Sequence, residues 1–335
     1  MELSIATLGD MTKNAQILFF KGLDAVVMAA RNSGIFRVDN IPDHQGNTKE
    51  YSEIDLEEYA KKKKEGDQTV RAKVQQGYSK VGTLYRVALD IGVTYEMRHY
   101  NKYQEVVSRL TNLGSVAGKR MELDLSHRIS FATVVSYVDM DGETVNTTCG
   151  DALQWAYTLH LLRGSASTFR NRLANNPVFS KGSLEGMEQM IIENSLNQFG
   201  EKITFPYDIL WSTDDPNTVN TIKEHLKSTA SPDALNNGVI NVNSGKYRHV
   251  ILPRVATDAT GAVDSTKAKY WGLASSLNSQ AFLAVNEEPN LKTTSDNGAN
   301  IDFSTGDWNY GVSSGYFIVT PGARSLAFSS GDAVA

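Results

Sequence analysis

Six histidines, one cysteine and a few carboxylate pairs are the residues of this chain that could do chemistry. Their spacing argues against most of it. His44, His99, His127, His160, His225 and His249 are scattered, with no H-E-x-x-H and no ligand spacing among them. Gly182-Ser183-Leu184-Glu185-Gly186 places its serine one position early for a nucleophile elbow. Asp139-x-Asp141-Gly142 resembles the opening of a calcium loop, but Gly150 stands at the twelfth position, where a bidentate glutamate is needed, so a hairpin turn accounts for it better. Asp214-Asp215 ahead of Pro216 reads as a helix cap. Cys149 alone can make neither an intramolecular disulfide nor a cysteine-based zinc site, and reads as a small buried side chain. Neither G-x-x-x-x-G-K-[ST] nor G-x-G-x-x-G is present. No catalytic residue, metal ligand or cofactor-binding residue is therefore expected.

What remains is charge. Glu57 and Glu58 are followed by the basic run Lys61, Lys62, Lys63 and Lys64, and these six are candidate contacts with another subunit, the lysines meeting an acidic patch. A solvated loop tip is the plain reading of the same run. Nucleic acid ranks behind both, because Glu50, Glu53 and Asp55 cancel much of the local field. The formal net charge of −5 agrees, giving no electrostatic footprint for sequence-read nucleic acid.

A length of 335 residues exceeds a usual single core, and 41% hydrophobic with 21% charged residues is the profile of a folded soluble chain. Near the start, Ile17–Phe20 and Val26–Ala30 are apolar, but Lys21 and Asp24 split them and no basic segment precedes them. An amphipathic helix from about Thr12 to Asn32 is expected there, rather than a signal peptide or a membrane span, and a cytosolic product with it.

The chain is organised around the stretch Tyr95 to Arg128. Met97, Tyr100, Tyr103, Val107, Leu110, Leu113, Ala117, Met121 and Leu125 recur at spacings of three and four, which predicts one long helix with a single apolar stripe. Gly114 and Gly118 are its weak points, each costing roughly 1 kcal/mol relative to alanine. Before it, Lys49 to Val93 is strongly charged and alternates in Val70–Val74 and Tyr85–Val93, the pattern of a long two-stranded excursion. After it come strands at Ser130–Val138, Glu143–Thr148, Ile203–Trp211 and Arg248–Val255, and helices at Ser183–Asn197 and Asn217–Ser228. Short strands at Lys269–Gly272, Ala281–Asn286, Ile301–Phe303, Trp308–Val312, Gly315–Thr320 and Arg324–Phe328 complete an α+β chain without a regular βαβ repeat.

This order of elements resembles the major capsid proteins of tailed bacteriophages with the Hong Kong 97-type fold. The resemblance rests on Ile91-Gly92-Val93-Thr94-Tyr95-Glu96-Met97 leading into the long helix, continued by Asn101-Lys102-Tyr103 and Leu110–Gly114 as in the Mu-like branch. Gly150-Asp151-Ala152-Leu153 to His160, Ser183-Leu184-Glu185 and Gly315-Tyr316-Phe317 also fit, although Leu161 stands where that branch has a proline. The resemblance implies an N-terminal arm and helix at 1–48 and an extended loop at 49–93. It implies a peripheral domain from 94–140 and 265–335, with the spine helix at about 95–128, and an axial domain at 141–264. By function it implies a structural shell protein, not an enzyme, that self-assembles into pentamers and hexamers of an icosahedral head around double-stranded DNA in the virion, after assembly in the host bacterial cytoplasm. Its implied partners are itself, portal and scaffold proteins, a decoration protein and packaged DNA contacted non-specifically, with no membrane. An encapsulin-like compartment shell and a soluble α+β hydrolase with an unrecognised site are the alternative readings.

Overall fold

A computed structural model describes residues 8–42, 46–94, 96–97, 100, 103–228, 240–293 and 308–332. Tyr95, His44, His99, Asn101, Lys102 and the strand expected at Ile301–Phe303 lie outside the described residues. The first helix is divided: α1 runs Leu8–Asp24 and α2 Ala29–Asn32. The strands β1 (Phe36–Asn40), β2 (Thr48–Leu56), β3 (Val74–Thr83) and β4 (Tyr85–Val93) follow. The spine helix α3 is Tyr103–Ser130, 28 residues, or about 40 Å at ~1.5 Å per residue.

Beside the spine lies a four-stranded sheet in the order β1-β12-β13-β4, with β12 at Ala281–Thr293 and β13 at Trp308–Val319. Here the structure departs from the expected excursion. The strand Tyr85–Val93 is not the second strand of the projecting ribbon; it pairs antiparallel with β13, Tyr310 opposite Ile91. The ribbon is β2 with β3, Thr48 to Thr83. Leu84 is the link at which the chain passes from ribbon to sheet, so two strands of similar alternation fall in different sheets.

The spine also departs from a single stripe. In its first half Val106, Leu110, Leu113 and Ala117 are buried against Ala15 and Phe19 of α1 and against Val93, Leu291, Tyr310 and Val312 of the sheet. From Met121 to Ser130 every residue is buried, polar ones included. Each of most of those polar groups has a partner on another element. Glu122 accepts from Ala30 N (2.6 Å) and Arg31 N (3.4 Å), binding the first turn of α2. Asp124 accepts from Arg120 Nε (3.0 Å), Tyr316 OH (2.6 Å) and Tyr85 OH (3.3 Å). Arg128 donates to Ile318 O (2.7 Å) and to Asn146 O, and burial depresses its pKa. A buried polar group without a partner costs about 1–3 kcal/mol, so these bonds fix the register of the spine.

The glycines in α3 have a purpose that periodicity does not reveal. A Cβ on Gly114 would sit 2.1 Å from Phe19 O, and one on Gly22 would sit 2.0 Å from Thr111 O. The two helices cross backbone to backbone, which only glycine permits.

The second sheet runs β10-β9-β11-β14, that is Arg248–Ile251, Ile209–Ser212, Trp271–Ala274 and Leu326–Ser329. It carries the helices α4 (Lys181–Asn194) and α5 (Pro216–Lys227), with Leu184, Met187, Met190, Ile222 and Leu226 packed on Leu210, Trp271 and Leu273. Two of its strands come from the segment expected to be axial, 141–264, and two from 265–335. The boundary expected at 264/265 therefore runs through one sheet, because β11 closes on β9 by antiparallel pairing, Gly272 opposite Trp211. Short pairs β5–β6 (Ser136–Val138, Thr144–Asn146) and β7–β8 (His160–Leu161, Thr168–Phe169) complete the described strands.

Candidate subunit-contact site

Beyond its anchored part the ribbon has little of the chain around it: every residue from Glu58 to Val74 is exposed. In β2 the residues alternate. Tyr51, Glu53 and Asp55 face the body, and Ile54 and Leu56 face out. Leu56 lies opposite Val74, so Ile54 (67% exposed), Leu56 (57%) and Val74 (62%) form one uncovered apolar row. Between Ser52–Ser79 and Ile54–Gln76 the register slips, giving an extra residue on β3 opposite Glu53. Such a bulge bends the strand that carries it.

The six charged candidates all lie beyond the end of β2. Glu57 accepts from Lys73 N (3.2 Å) and pairs with Lys61 (3.3 Å), and these bonds hold its carboxyl below the usual range. The backbone N–H of Glu58 donates to Glu201 Oε2 (2.8 Å). Lys62, Lys63 and Lys64 stand exposed at the tip. The structure thus joins Glu57 to Lys61 and leaves the other three lysines facing solvent.

Besides single bonds such as that from Lys80 to Thr148 O, two larger anchors hold the ribbon to the body. At the root, Tyr51 stacks on Phe282 at 4.5 Å, its hydroxyl donates to Asp39 Oδ2 (2.6 Å), and Gly82 lies flat against the Phe317 ring. At mid-length the anchor is charged. Arg324 donates to Glu53 Oε2 (2.6 Å), Asp55 Oδ2 (2.9 Å) and Leu196 O (3.1 Å), with only 5% of its side chain exposed. Burial alone would weaken its charge, but Glu53 and Asp55 outweigh it and raise its pKa. Gln198 bonds the same two carboxylates through Nε2 (3.0 Å to Glu53) and its backbone N (2.9 Å to Asp55). Arg163 donates from its backbone N to Gln198 Oε1 (2.9 Å) and from its guanidinium to Gly77 O (3.1 Å). The carboxylate Oε1 of Glu53 is buried with no hydrogen-bond partner among the described residues. No residue of this joint stands out by motif; the only sign in the sequence is alternation of Tyr51, Glu53 and Asp55 on one face.

The residues that could have been catalytic are otherwise employed. Ser183 is the fourth member of a capping box closed by Ser180, and Asp215 caps α5 by accepting from Thr218 N (2.9 Å). Asp139 accepts from the backbone of Asp141 and Glu143 in the hairpin turn, each at 2.9 Å. Burial pushes the Cys149 thiol well up. His160 is enclosed between Asp151 (2.8 Å) and Trp155 O (3.3 Å). One contact was not anticipated: Ser212 Oγ lies 2.9 Å from His249 Nε2, a serine–histidine pair. Ser212 is fully buried in a strand, and burial beside Lys223 and Lys227 lowers His249 to about 4, so the imidazole is a poor base. Among the described residues no carboxylate orients its other nitrogen, as a triad requires. The hollow at Phe169, Ile191, Tyr207 and Arg324 has a volume of about 10 Å³, room for roughly one water. Among the described residues no group of three or more His, Cys, Asp or Glu could hold a metal, and no helix is long and apolar enough to cross a membrane.

No protein-family model matches the chain, and no curated protein matches it. Solved structures do. The capsid structure of the cyanophage P-SCSP1u superposes with a TM-score of 0.52 at 13% identity, over 88% of this chain and 85% of that one. A chain of Gordonia phage Cozz gives 0.50 at 10% identity over 88% and 84%. A virus-like particle from Pyrococcus furiosus gives 0.48 at 11% identity over 95% and 98%. The chain has the α+β fold of phage capsid proteins, the Hong Kong 97-type fold, and the likeness does not single out the Mu-like branch.

Proposed function

We propose that this chain is the major capsid protein of a tailed phage or prophage, a structural shell subunit without catalytic activity that assembles into pentamers and hexamers of an icosahedral head. The observation that carries the reading is the uncovered row Ile54, Leu56 and Val74 on a ribbon that projects from a chain of this fold. A two-stranded ribbon is marginal alone in water and gains stability when its apolar face is covered. A second copy is the natural cover, since one surface repeated by symmetry serves every contact of a closed shell. Glu57, Glu58 and Lys61–Lys64, beyond that row, then approach the neighbouring subunit.

In this reading residues 1–48 supply the arm, the first helix and the edge strand β1, and the spine with β12, β13 and β4 forms the peripheral part. The second sheet with α4 and α5 is the axial part. Portal and scaffold proteins, and a decoration protein, are the further partners, and packaged DNA is contacted non-specifically inside the virion. The test is negative-stain electron microscopy of the purified full chain beside its sedimentation profile. Closed shells, or rings of five and six subunits, are expected. A uniform monomer of 36.8 kDa at high concentration, also with other phage proteins present, would overturn the reading. Shells filled with protein and free of nucleic acid would replace it with an enzyme compartment.

A further inference from the structure

The two larger anchors of the ribbon differ in kind, and two single bonds, from Lys80 to Thr148 O and from Glu58 N to Glu201, add to them. The root is apolar: Tyr51 and Gly82 lie on Phe282 and Phe317, and separating them would expose aromatic surface. The mid-length joint is polar, made of Glu53, Asp55 and Gly77 on the ribbon and of Arg324, Gln198 and Arg163 on the body. Bonds of this kind can open to water without exposing apolar surface, and each group is then hydrated rather than orphaned. The bulge opposite Glu53 lies at the joint, where the ribbon already bends. The joint is also imperfect, because Glu53 Oε1 is enclosed against Gly322 without a partner among the described residues. A buried polar network with an unpaired member is less stable than a fully paired one, which lowers the cost of opening it.

We propose that Arg324 and its two carboxylates form a latch. The aromatic root is the pivot, the latch sets the angle of the outer ribbon, and opening the latch lets Ile54, Leu56, Val74 and the lysine tip swing while the root stays docked. Arg324 is thus a positioning residue for the contact surface, although it touches no neighbour through that surface itself. The role in assembly rests on the shell reading; the mechanical behaviour does not.

The test uses the full chain at a concentration where it is unassembled. Spin labels on Gln76→Cys and Leu277→Cys, both exposed positions, report the distance between the outer ribbon and the body. The unmodified latch is expected to give one narrow distance distribution, and Arg324→Met a broad or shifted one. If Arg324→Met does not fold, the isosteric pair Glu53→Gln with Asp55→Asn decides the same question. Distributions identical to the parent in a folded variant overturn the latch. Hydrogen exchange on the unmutated chain decides it independently. The backbone amide of Gln198 bonds across the latch to Asp55 Oδ2, so local opening is expected to exchange it roughly tenfold or more faster than that of Trp211 in the second sheet. Exchange of both at the rate of global unfolding overturns the proposal. Electron microscopy of the same variants separates the two readings. If the unmutated chain forms no shells, the shell reading falls and the distances still judge the latch. Regular shells of unchanged diameter from a variant with a loosened ribbon would sever the latch from assembly.

Discussion

Replacing Gly114 by alanine should destabilise the protein, against the ordinary preference of helices. In an exposed helix interior the change stabilises by roughly 1 kcal/mol, because alanine loses less backbone freedom on folding. At Gly114 the new Cβ would stand 2.1 Å from Phe19 O and 3.0 Å from Leu23 N. An ordinary carbon–oxygen contact is about 3.3 Å, so α1 must retreat by roughly 1 Å. A gap of that size forfeits about a quarter to a half of the dispersion energy of each contact it opens. Phe19 and Ala15, both buried at the crossing, bear most of it. Overpacking of this sort costs about 1–3 kcal/mol, which offsets the helical gain and leaves a net loss of up to about 2 kcal/mol. Gly186 in α4 is the control, since a Cβ there meets nothing within 4 Å. Gly186→Ala should stabilise by about 0.5–1 kcal/mol. Urea unfolding of both variants at low concentration gives the two signs, and hydrogen exchange over residues 8–24 shows whether α1 has loosened. Equal stabilisation by both substitutions, with α1 protected as before, would refute the packing account.

Acid should weaken the fold through His127. Burial, with Lys267 adding to it, lowers this histidine from 6.5 to about 4, so the native ring stays neutral where the unfolded one takes a proton. Stability present above pH ~6.5 is therefore lost as pH falls towards about 4, by about 3 kcal/mol for this group, and His127→Gln should flatten that limb of the stability–pH curve. Asp124→Ala removes a buried acceptor from Tyr316 and Tyr85 and one of the three carboxylates of the partly buried Arg120, and should cost about 1–3 kcal/mol, whereas Glu105→Ala, which breaks an exposed pair with Arg109, should cost under about 0.5 kcal/mol; thermal unfolding separates them. Leu56→Ser with Ile54→Ser should leave unfolding midpoints unchanged while abolishing shells in sedimentation. Reversing Lys62, Lys63 and Lys64 to glutamate should slow assembly at low salt and matter less at high salt, as light scattering would show.

The sequence made the spine, the cap of α5 and the α+β class legible because each is a local pattern, whereas α1 begins at Leu8 rather than Thr12 and α4 is capped by Ser180 ahead of the expected Ser183. Asp215 before Pro216 and the tight turn at Asp141-Gly142 depend on residues two to four apart, and they stand where the spacing placed them. The second half of the spine was not legible. The apolar stripe does not include Glu122, Asp124, His127 and Arg128, and they are buried because partners on α2, β13 and the loop at Thr257 arrive from elsewhere in the chain. The ribbon was misjudged for a related reason. Tyr85–Val93 alternates as a ribbon strand would, and only pairing with β13, more than 200 residues later, assigns it to the sheet. Of the candidate contacts, the lysine tip was visible as a charge run. The apolar row was not, since Ile54, Leu56 and Val74 become a row only once Leu56 faces Val74.

The parallel pairing of β1 with β12 has a consequence in time. Phe36–Asn40 find their partners at Ala281–Val285, and Asn286 donates to Ile41 O across 245 residues. During synthesis at about 5–20 residues per second, the early strand waits on the order of ten seconds or more with its edge unpaired. The seat of the ribbon waits as long, since Phe282, Phe317 and Arg324 all belong to the last portion of the chain. A nascent chain therefore holds the row Ile54, Leu56 and Val74 without the frame that orients it. If the chain assembles as proposed, the order of translation delays the oriented contact surface until each copy has been completed.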